Sequence, residues 1–372
     1  MVMADIKVVI DGKEITGQAG MTILEAAEQV GIHIPTLCHR PDLSPTGVCR
    51  ICVVEVEGSP RAVGACHTPI VDGMVITTRS SKVLALRKAA LELMLTAHTG
   101  PCVTDSKVEQ CELHKFASEL EVGPPRFRVR EPRFYPVEEA SPYVQRDLSK
   151  CILCRRCVKA CEEIAKKNIY SIGYRGFDSK VIVDCDEPLN KEDCRDCGIC
   201  IDYCPTSALT RPSTWAEMGG ERGGLAGGEE HKGPEADTRQ RLLEILKAEQ
   251  SQSRFVSPEV MPAIAQSLNI GVSEVYGVAT FYSFLSTKPL GRNVIRICKS
   301  LPCYLKNAPM IAESVYKAIG IRPGETTADG KFSLELTNCI GACDKAPAML
   351  INHDVHGNLT PNKISEALKS YS

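Results

Sequence analysis

CILCRRCVKAC, from Cys151 to Cys161, and CRDCGICIDYCP, from Cys194 to Pro205, decide how this 372-residue chain is read. Both follow a CxxCxxCxxxC pattern: Cys151, Cys154, Cys157 and Cys161, then Cys194, Cys197, Cys200 and Cys204. Three thiols of each run can converge from one tight loop, while the fourth is held apart. That division suits a cubane [4Fe–4S] core, whose four iron corners cannot all be reached from one loop. Zinc needs only paired CxxC hooks and would leave the other cysteines without a role. Two quartets of matching spacing therefore point to two [4Fe–4S] clusters.

The pair of runs resembles the two-cluster ferredoxins, where the fourth cysteine of each run ligates the other cluster. The resemblance implies one set of Cys151, Cys154, Cys157 and Cys204, and a second of Cys161, Cys194, Cys197 and Cys200. Ile152, Leu153 and Ile199 place apolar bulk beside them, and shielding from water helps set reduction potential. Between the runs, residues 168–184 read as a hairpin with Gly173 and Gly176 near its tip, and Cys185 reads as a small buried hydrophobe.

Composition is that of an ordinary soluble protein: 43% hydrophobic, 24% charged, formally −2, so bulk charge implies no nucleic-acid partner. Nineteen cysteines stand out. The opening residues Met1-Val-Met-Ala-Asp5 lead into a strand-like run rather than a secretory leader, and no apolar run is long enough for a bilayer. Metal-bound thiolates in a reducing cytoplasm are therefore expected instead of disulfides.

Upstream, IKVVI (6–10) and residues 13–17 flank Asp11-Gly12, a hairpin signal. Thr22 and Glu25 form a capping box for a helix stopped by Gly31. Cys38 and Cys49 follow around a Pro/Gly-rich loop, Cys52 opens a strand over 51–56, and Cys66 returns from another segment. This order resembles the β-grasp of plant-type [2Fe–2S] ferredoxins. With its different spacing it is more similar to the N-terminal domain of the large iron–sulfur subunit of respiratory complex I. The same module opens [FeFe]-hydrogenases and NAD-linked formate dehydrogenases. The four cysteines would hold a [2Fe–2S] cluster.

Residues 81–97 read as one helix, with Val83, Leu84, Leu86, Ala90, Leu91, Leu93 and Met94 apolar and Lys82, Arg87 and Lys88 solvated. In the families just named it leads to a His-x3-Cys-x2-Cys-x5-Cys cluster motif. Here His98, Cys102 and Cys111 keep that register, and Asp105 replaces the middle cysteine. A carboxylate is a harder ligand than a thiolate. Three outcomes follow: Asp105 ligates a third [4Fe–4S] cluster, the cluster loses that corner to become [3Fe–4S], or no cluster forms. The strip GPPRFRVREPRFY (123–135) reads as an extended connector.

GGERGGLAGGEEHKG (219–233) has the composition of a flexible tether; no buried strand precedes it, so it is not a nucleotide loop. Beyond it, helices are expected from Arg239, Ser257 and Ser273. A strand over 293–298, a helix over 307–319, a strand through Phe332, Leu334 and Leu336, a hairpin turning near His356-Gly357-Asn358, and a helix over 363–371 complete the chain. This is a thioredoxin-like layout without thioredoxin's CxxC. Cys298 and Cys303, with Cys339 and Cys343, sit after strand ends instead. YGVATFYSF (276–284) and CIGACDKAP (339–347) resemble the thioredoxin-like small [2Fe–2S] subunit of complex I, and these four cysteines would hold a second [2Fe–2S] cluster.

The expected architecture is α+β and multidomain. It comprises a β-grasp domain (1–80), a helical His/Cys segment (81–135), a two-cluster ferredoxin domain (136–210), a linker (211–238), and a helical bundle with a thioredoxin-like domain (239–372). The resemblance implies an electron-transfer subunit of a soluble NADH-linked oxidoreductase complex, one that bifurcates electrons by analogy alone. It has no catalytic site of its own, and FMN and NAD(H) lie on a flavoprotein partner. A further acceptor-side subunit or ferredoxin would take the electrons. The alternatives are a free-standing ferredoxin-like shuttle and a zinc- or cluster-stabilised scaffold.

Overall fold

The computed structural model describes residues 5–98, 111–127, 135–139, 141–212 and 236–371. Cys102, Asp105, residues 128–134 of the 123–135 strip and the whole 219–233 tether lie outside them. The chain divides into two units: residues 1–172 with 180–233, and residues 173–179 with 234–372.

In the first unit, β1 (Asp5–Ile10) and β2 (Lys13–Gln18) form the expected hairpin. Asp11 and Gly12, at φ 47° and 82°, supply the two left-handed residues that a two-residue turn needs. Thr22 and Glu25 exchange hydrogen bonds at the start of α1 (Ile23–Gln29). With β3 (Val53–Val56), β4 (Val63–Gly64) and β5 (Met74–Thr77), the strands form one sheet in the order β2-β1-β5-β3-β4. β1 and β5 run parallel. The alternation of β1 turns Val8 and Ile10 inward onto Ile23, Leu24 and Ile76.

α2 (Ser81–Ala97) has the expected bounds. Arg87 departs from its expected place in solvent: it is buried, and its Nη2 donates to the carbonyl of Val53 at 2.9 Å. Leu86 and Leu93 are exposed instead. The stripe that meets β3 and α3 (Glu112–Glu119) is thus rotated from the one drawn by hydropathy alone.

The ferredoxin-like part is built from short pieces: β6 (Gln145–Arg146), α4 (Arg156–Lys159) running into a π turn, β7 (Tyr170–Gly173), β8 (Lys180–Val183), α5 (Ile199–Asp202) and β9 (Leu209–Thr210). β7 and β8 make the expected hairpin. Cys185 lies in the turn after β8 and is half-buried, so it is not the core residue expected from its type.

The second unit begins with α6 (Ala236–Ser253), α7 (Met261–Leu268) and α8 (Val272–Phe281). Ser257-Pro258 opens a turn, and the helix proper starts four residues beyond Ser257, at Met261. β10 (Asn293–Cys298), α9 (Leu301–Leu305), α10 (Ala308–Ile319), β11 (Phe332–Thr337), β12 (Met349–Ile351), β13 (Asp354–His356) and α11 (Pro361–Lys369) follow. The sheet order is β11-β10-β12-β13, with β10 and β11 parallel. The last hairpin turns at Asn352-His353, where Asn352 takes φ 57°, four residues before the expected turn. No helix among the described residues is long and apolar enough to cross a membrane.

Candidate metal centres

Cys38, Cys49, Cys52 and Cys66 are all buried, although they come from separate segments of loop around β3 and β4. Hydrogen bonds to Cys49 and Cys66 hold the Cys38 thiol far below its ordinary range, and that to Cys66 holds Cys52 at about 7. The same contacts push Cys49 and Cys66 up, with burial adding to the effect. Thiols this close and this dry cannot all ionise together without a cation among them. His67, to which no spacing in the sequence points, packs beside them. Its Nδ1 is 3.5 Å from Cys66 Sγ, and side chains at Gly47 or Gly64 would strike its ring.

In the ferredoxin-like part the thiols sort across the two runs. Cys151, Cys154, Cys157 and Cys204 line one cavity with Leu148, Ile152 and Val181. Cys154 and Cys157 are raised first by burial, then by the charges of their neighbours in this set. Cys161, Cys194, Cys197 and Cys200 form the other set. Burial comes first again for Cys194, pushed up to about 12, followed by Cys161 and Cys197; Cys200 likewise feels Cys161, Cys194 and Cys197. Cys161 sits at the head of the π turn, and a second donor segment reaches it: Ile169 N–H lies 3.4 Å from its Sγ. Ala208 N–H lies 3.2 Å from Cys204 Sγ, and the Tyr170 hydroxyl 3.6 Å from Cys200 Sγ.

These centres share packing within the first unit. Cys38, Cys49, Cys111 and Cys154 belong to one apolar cluster with Leu37, Ile51, Leu91 and Leu113. Around it, Ser44 N–H donates to Glu163 at 2.7 Å, Tyr203 bonds Asp42, and buried Arg156 forks onto Glu112 at 2.8 and 2.9 Å.

His98 and Cys111 also come together, with Nε2 and Sγ 3.9 Å apart. Cys102 and Asp105 lie outside the described residues. Burial, then the neighbouring His114 ring, holds His98 down at about 4, so its imidazole is neutral at pH 7. His114, three residues beyond Cys111, is a candidate absent from the sequence-based ligand set; the Cys-x2-His spacing was the signal.

In the second unit, Cys298 ends β10 and pairs in register with Thr337, the end of parallel β11. The short helix α9 that bears Cys303 and the loop that bears Cys339 therefore both follow the same end of these two parallel strands. Cys298 and Cys303 are buried; Cys339 and Cys343 are exposed, with their sulfurs 3.3 Å apart. The Gly341 N–H, then Cys343, holds the Cys339 thiol below its ordinary range. All four thiols interact, and as an all-thiol set of four they suit an iron–sulfur core.

Three family descriptions match in tandem. Residues 3–81 match a 2Fe-2S iron-sulfur cluster binding domain, and residues 141–210 the ferredoxin-like domain of NADH-quinone oxidoreductase subunit 3. Residues 229–372 match the thioredoxin-like [2Fe-2S] ferredoxins. The N-terminal part is similar to the alpha subunit of NADPH-Fe(3+) oxidoreductase of Geobacter sulfurreducens, at 39% identity over 55% of this chain and 24% of that one. It is also similar to the NADP-reducing hydrogenase subunit HndD of Solidesulfovibrio fructosivorans, at 36% identity over 56% of this chain and 36% of that one. This chain thus spans between a quarter and about a third of those relatives. The C-terminal part is 44% identical to the E subunit of the NADH-quinone oxidoreductase of Escherichia coli (strain K12), over 36% of this chain and 81% of that one. Through residues 229–372 the chain belongs to the thioredoxin-like [2Fe-2S] ferredoxin family, fused in one polypeptide to 2Fe-2S and ferredoxin-like domains.

Proposed function

We propose that this chain is an iron–sulfur electron-transfer subunit of an NAD(P)H-linked oxidoreductase complex. One observation carries the reading: two buried or half-buried thiol quartets, each taking three members from one run and the fourth from the other. Cys151, Cys154, Cys157 and Cys204 hold one [4Fe–4S] cluster, and Cys161, Cys194, Cys197 and Cys200 the second. Cys38, Cys49, Cys52 and Cys66 hold a [2Fe–2S] cluster in a β-grasp domain, and Cys298, Cys303, Cys339 and Cys343 another in the thioredoxin-like domain. Such clusters supply one-electron redox chemistry. The residues around them donate N–H and O–H groups to sulfur and fix the thiols in place, and around Cys38, Cys49, Cys52 and Cys66 they also exclude water.

The segments 1–80, 81–135, 136–210, 211–238 and 239–372 serve as the working domains of this reading. Its partner is a flavin-bearing, NAD(P)H-binding subunit, supported by the names of the relatives matched at both ends of the chain. The second acceptor, electron bifurcation and a cytoplasmic location belong to the same proposal.

The cross-run assignment has a direct test in the anaerobically purified full chain. Cys204→Ser removes the cluster held by the first run, and Cys161→Ser the cluster held by the second, read as separate losses in the reduced EPR spectrum. If Cys161→Ser removes the first-run cluster instead, each run ligates its own and the assignment fails. Oxidation of NADH by the flavin-free chain alone would overturn the functional reading.

A further inference from the structure

Cys111 stands in the N-cap position of α3, and His114 is three residues on. An N-cap side chain and the side chain at N3 meet across the first turn, the geometry in which Ser or Thr and Glu exchange hydrogen bonds in a capping box. Here a thiol and an imidazole occupy those places, with Sγ and Nδ1 3.2 Å apart, and Cys111 makes no side-chain cap to its own helix. His98 arrives from the end of α2, with its Nδ1 2.9 Å from the carbonyl oxygen of Lys150. A carbonyl only accepts, so Nδ1 carries the proton and Nε2 presents its lone pair on the side of Cys111. The two rings lie 5.1 Å apart, and one donor atom from each of the three residues falls within 4.8 Å of the others.

We propose that His98 Nε2, Cys111 Sγ and His114 Nδ1 bind a single divalent transition-metal ion of the zinc class. Zinc–nitrogen and zinc–sulfur bonds of about 2.0 and 2.3 Å place neighbouring tetrahedral donors about 3.5 Å apart. The two sulfur–nitrogen distances, 3.2 and 3.9 Å, bracket that value. The Lys150 carbonyl is the orienting partner that a ligating imidazole characteristically has. One thiolate with two imidazoles suits zinc and disfavours the hard cations. The donor set also differs in kind from the four all-thiol groups elsewhere in the chain. The ion would tie the end of α2 to the start of α3, beside the segment that enters the first cysteine run. It stands independently of the electron-transfer reading.

The test is zinc, iron and acid-labile sulfide analysis of the full chain, purified anaerobically from zinc-replete cells, with X-ray absorption at the zinc edge. The expected result is stoichiometric zinc with one sulfur and two imidazole nitrogens among its neighbours. His114→Ala should lower zinc occupancy at least tenfold while iron and sulfide stay unchanged, and His114→Cys should restore the metal with a second sulfur neighbour. His114 is half-buried at the helix surface, so its variants report binding rather than core collapse. Cys111 is fully buried, and its substitution would mix loss of metal with loss of packing. The inference is overturned if the wild-type chain holds no zinc, if His114→Ala leaves zinc in place, or if that variant loses iron and sulfide together.

Discussion

Two single residues expose the repeat inside the ferredoxin-like part. Arg155, which follows the second cysteine of its run, has φ 67° and ψ 7°; Gly198, at the same place in the other run, has φ 67° and ψ 6°. The loop demands the left-handed region in both, and only one run supplies glycine. A Cβ at Gly198 would also stand 2.0 Å from the Arg211 guanidinium. Gly198→Ala should cost about 1–3 kcal/mol, whereas Arg155→Gly should leave stability unchanged or raise it; thermal unfolding of the loaded chain measures both. Tyr170 offers a second test. With Cys200 ligating as a thiolate, the hydroxyl 3.6 Å away donates to it and favours the reduced state. Tyr170→Phe should lower that cluster's potential, and a hydrogen-bond difference of about 1 kcal/mol corresponds to roughly 40 mV for one electron. An unchanged potential in a redox titration would show that the hydroxyl points elsewhere.

At the scale of the element, α1 depends on its cap. Thr22→Ala should cost about 1 kcal/mol. The Glu25 carboxyl is held below its ordinary value of 4.5, first by the Thr22 backbone N–H and then by its hydroxyl. A depressed carboxylate stabilises the fold at pH values above the ordinary one, and the contribution disappears as pH falls through the depressed value. Wild type and Thr22→Ala should therefore differ most at pH 7 and less in acid, where the hydroxyl's bond to the carboxylate is lost but the N-cap bond from the Glu25 N–H remains, as urea midpoints at a series of pH values would show. Elements of this kind were legible from sequence because their causes are local: Thr22 with Glu25, Asp11 with Gly12, and the bounds of α2. Arg87 was misplaced because its partner is the Val53 carbonyl, 34 residues away, which no local pattern announces. The final hairpin was misplaced because Gly357 drew attention from Asn352, which takes the left-handed turn instead.

Over the whole molecule, the proposed ligand sets were legible as spacings and, for the cross-run sets, through a family resemblance, while the burial and shared packing of their thiols became clear only in three dimensions. His67 was not legible, because a lone histidine beside a cysteine acquires meaning only when ring and sulfur are seen to meet; His114 had a Cys-x2-His spacing to mark it, which gains meaning only when the ring is seen against the sulfur. Exposure also differs among the gathered sets. Cys339 and Cys343 are open to solvent, whereas Cys38, Cys49, Cys52 and Cys66 are buried. A chelator added to the oxidised chain should therefore strip the thioredoxin-like [2Fe–2S] site first and the N-terminal one markedly later, with the two EPR signals decaying at separate rates. The apolar cluster that joins Cys38, Cys49, Cys111 and Cys154 has the opposite effect. Leu37, Ile51, Leu91 and Leu113 are walls common to three sites, so none of these sites is finished until its neighbours are. If the proposed sites are filled, cofactor insertion in this half of the chain should therefore be concerted, and an oxidative lesion at one site should disturb the housing of the others.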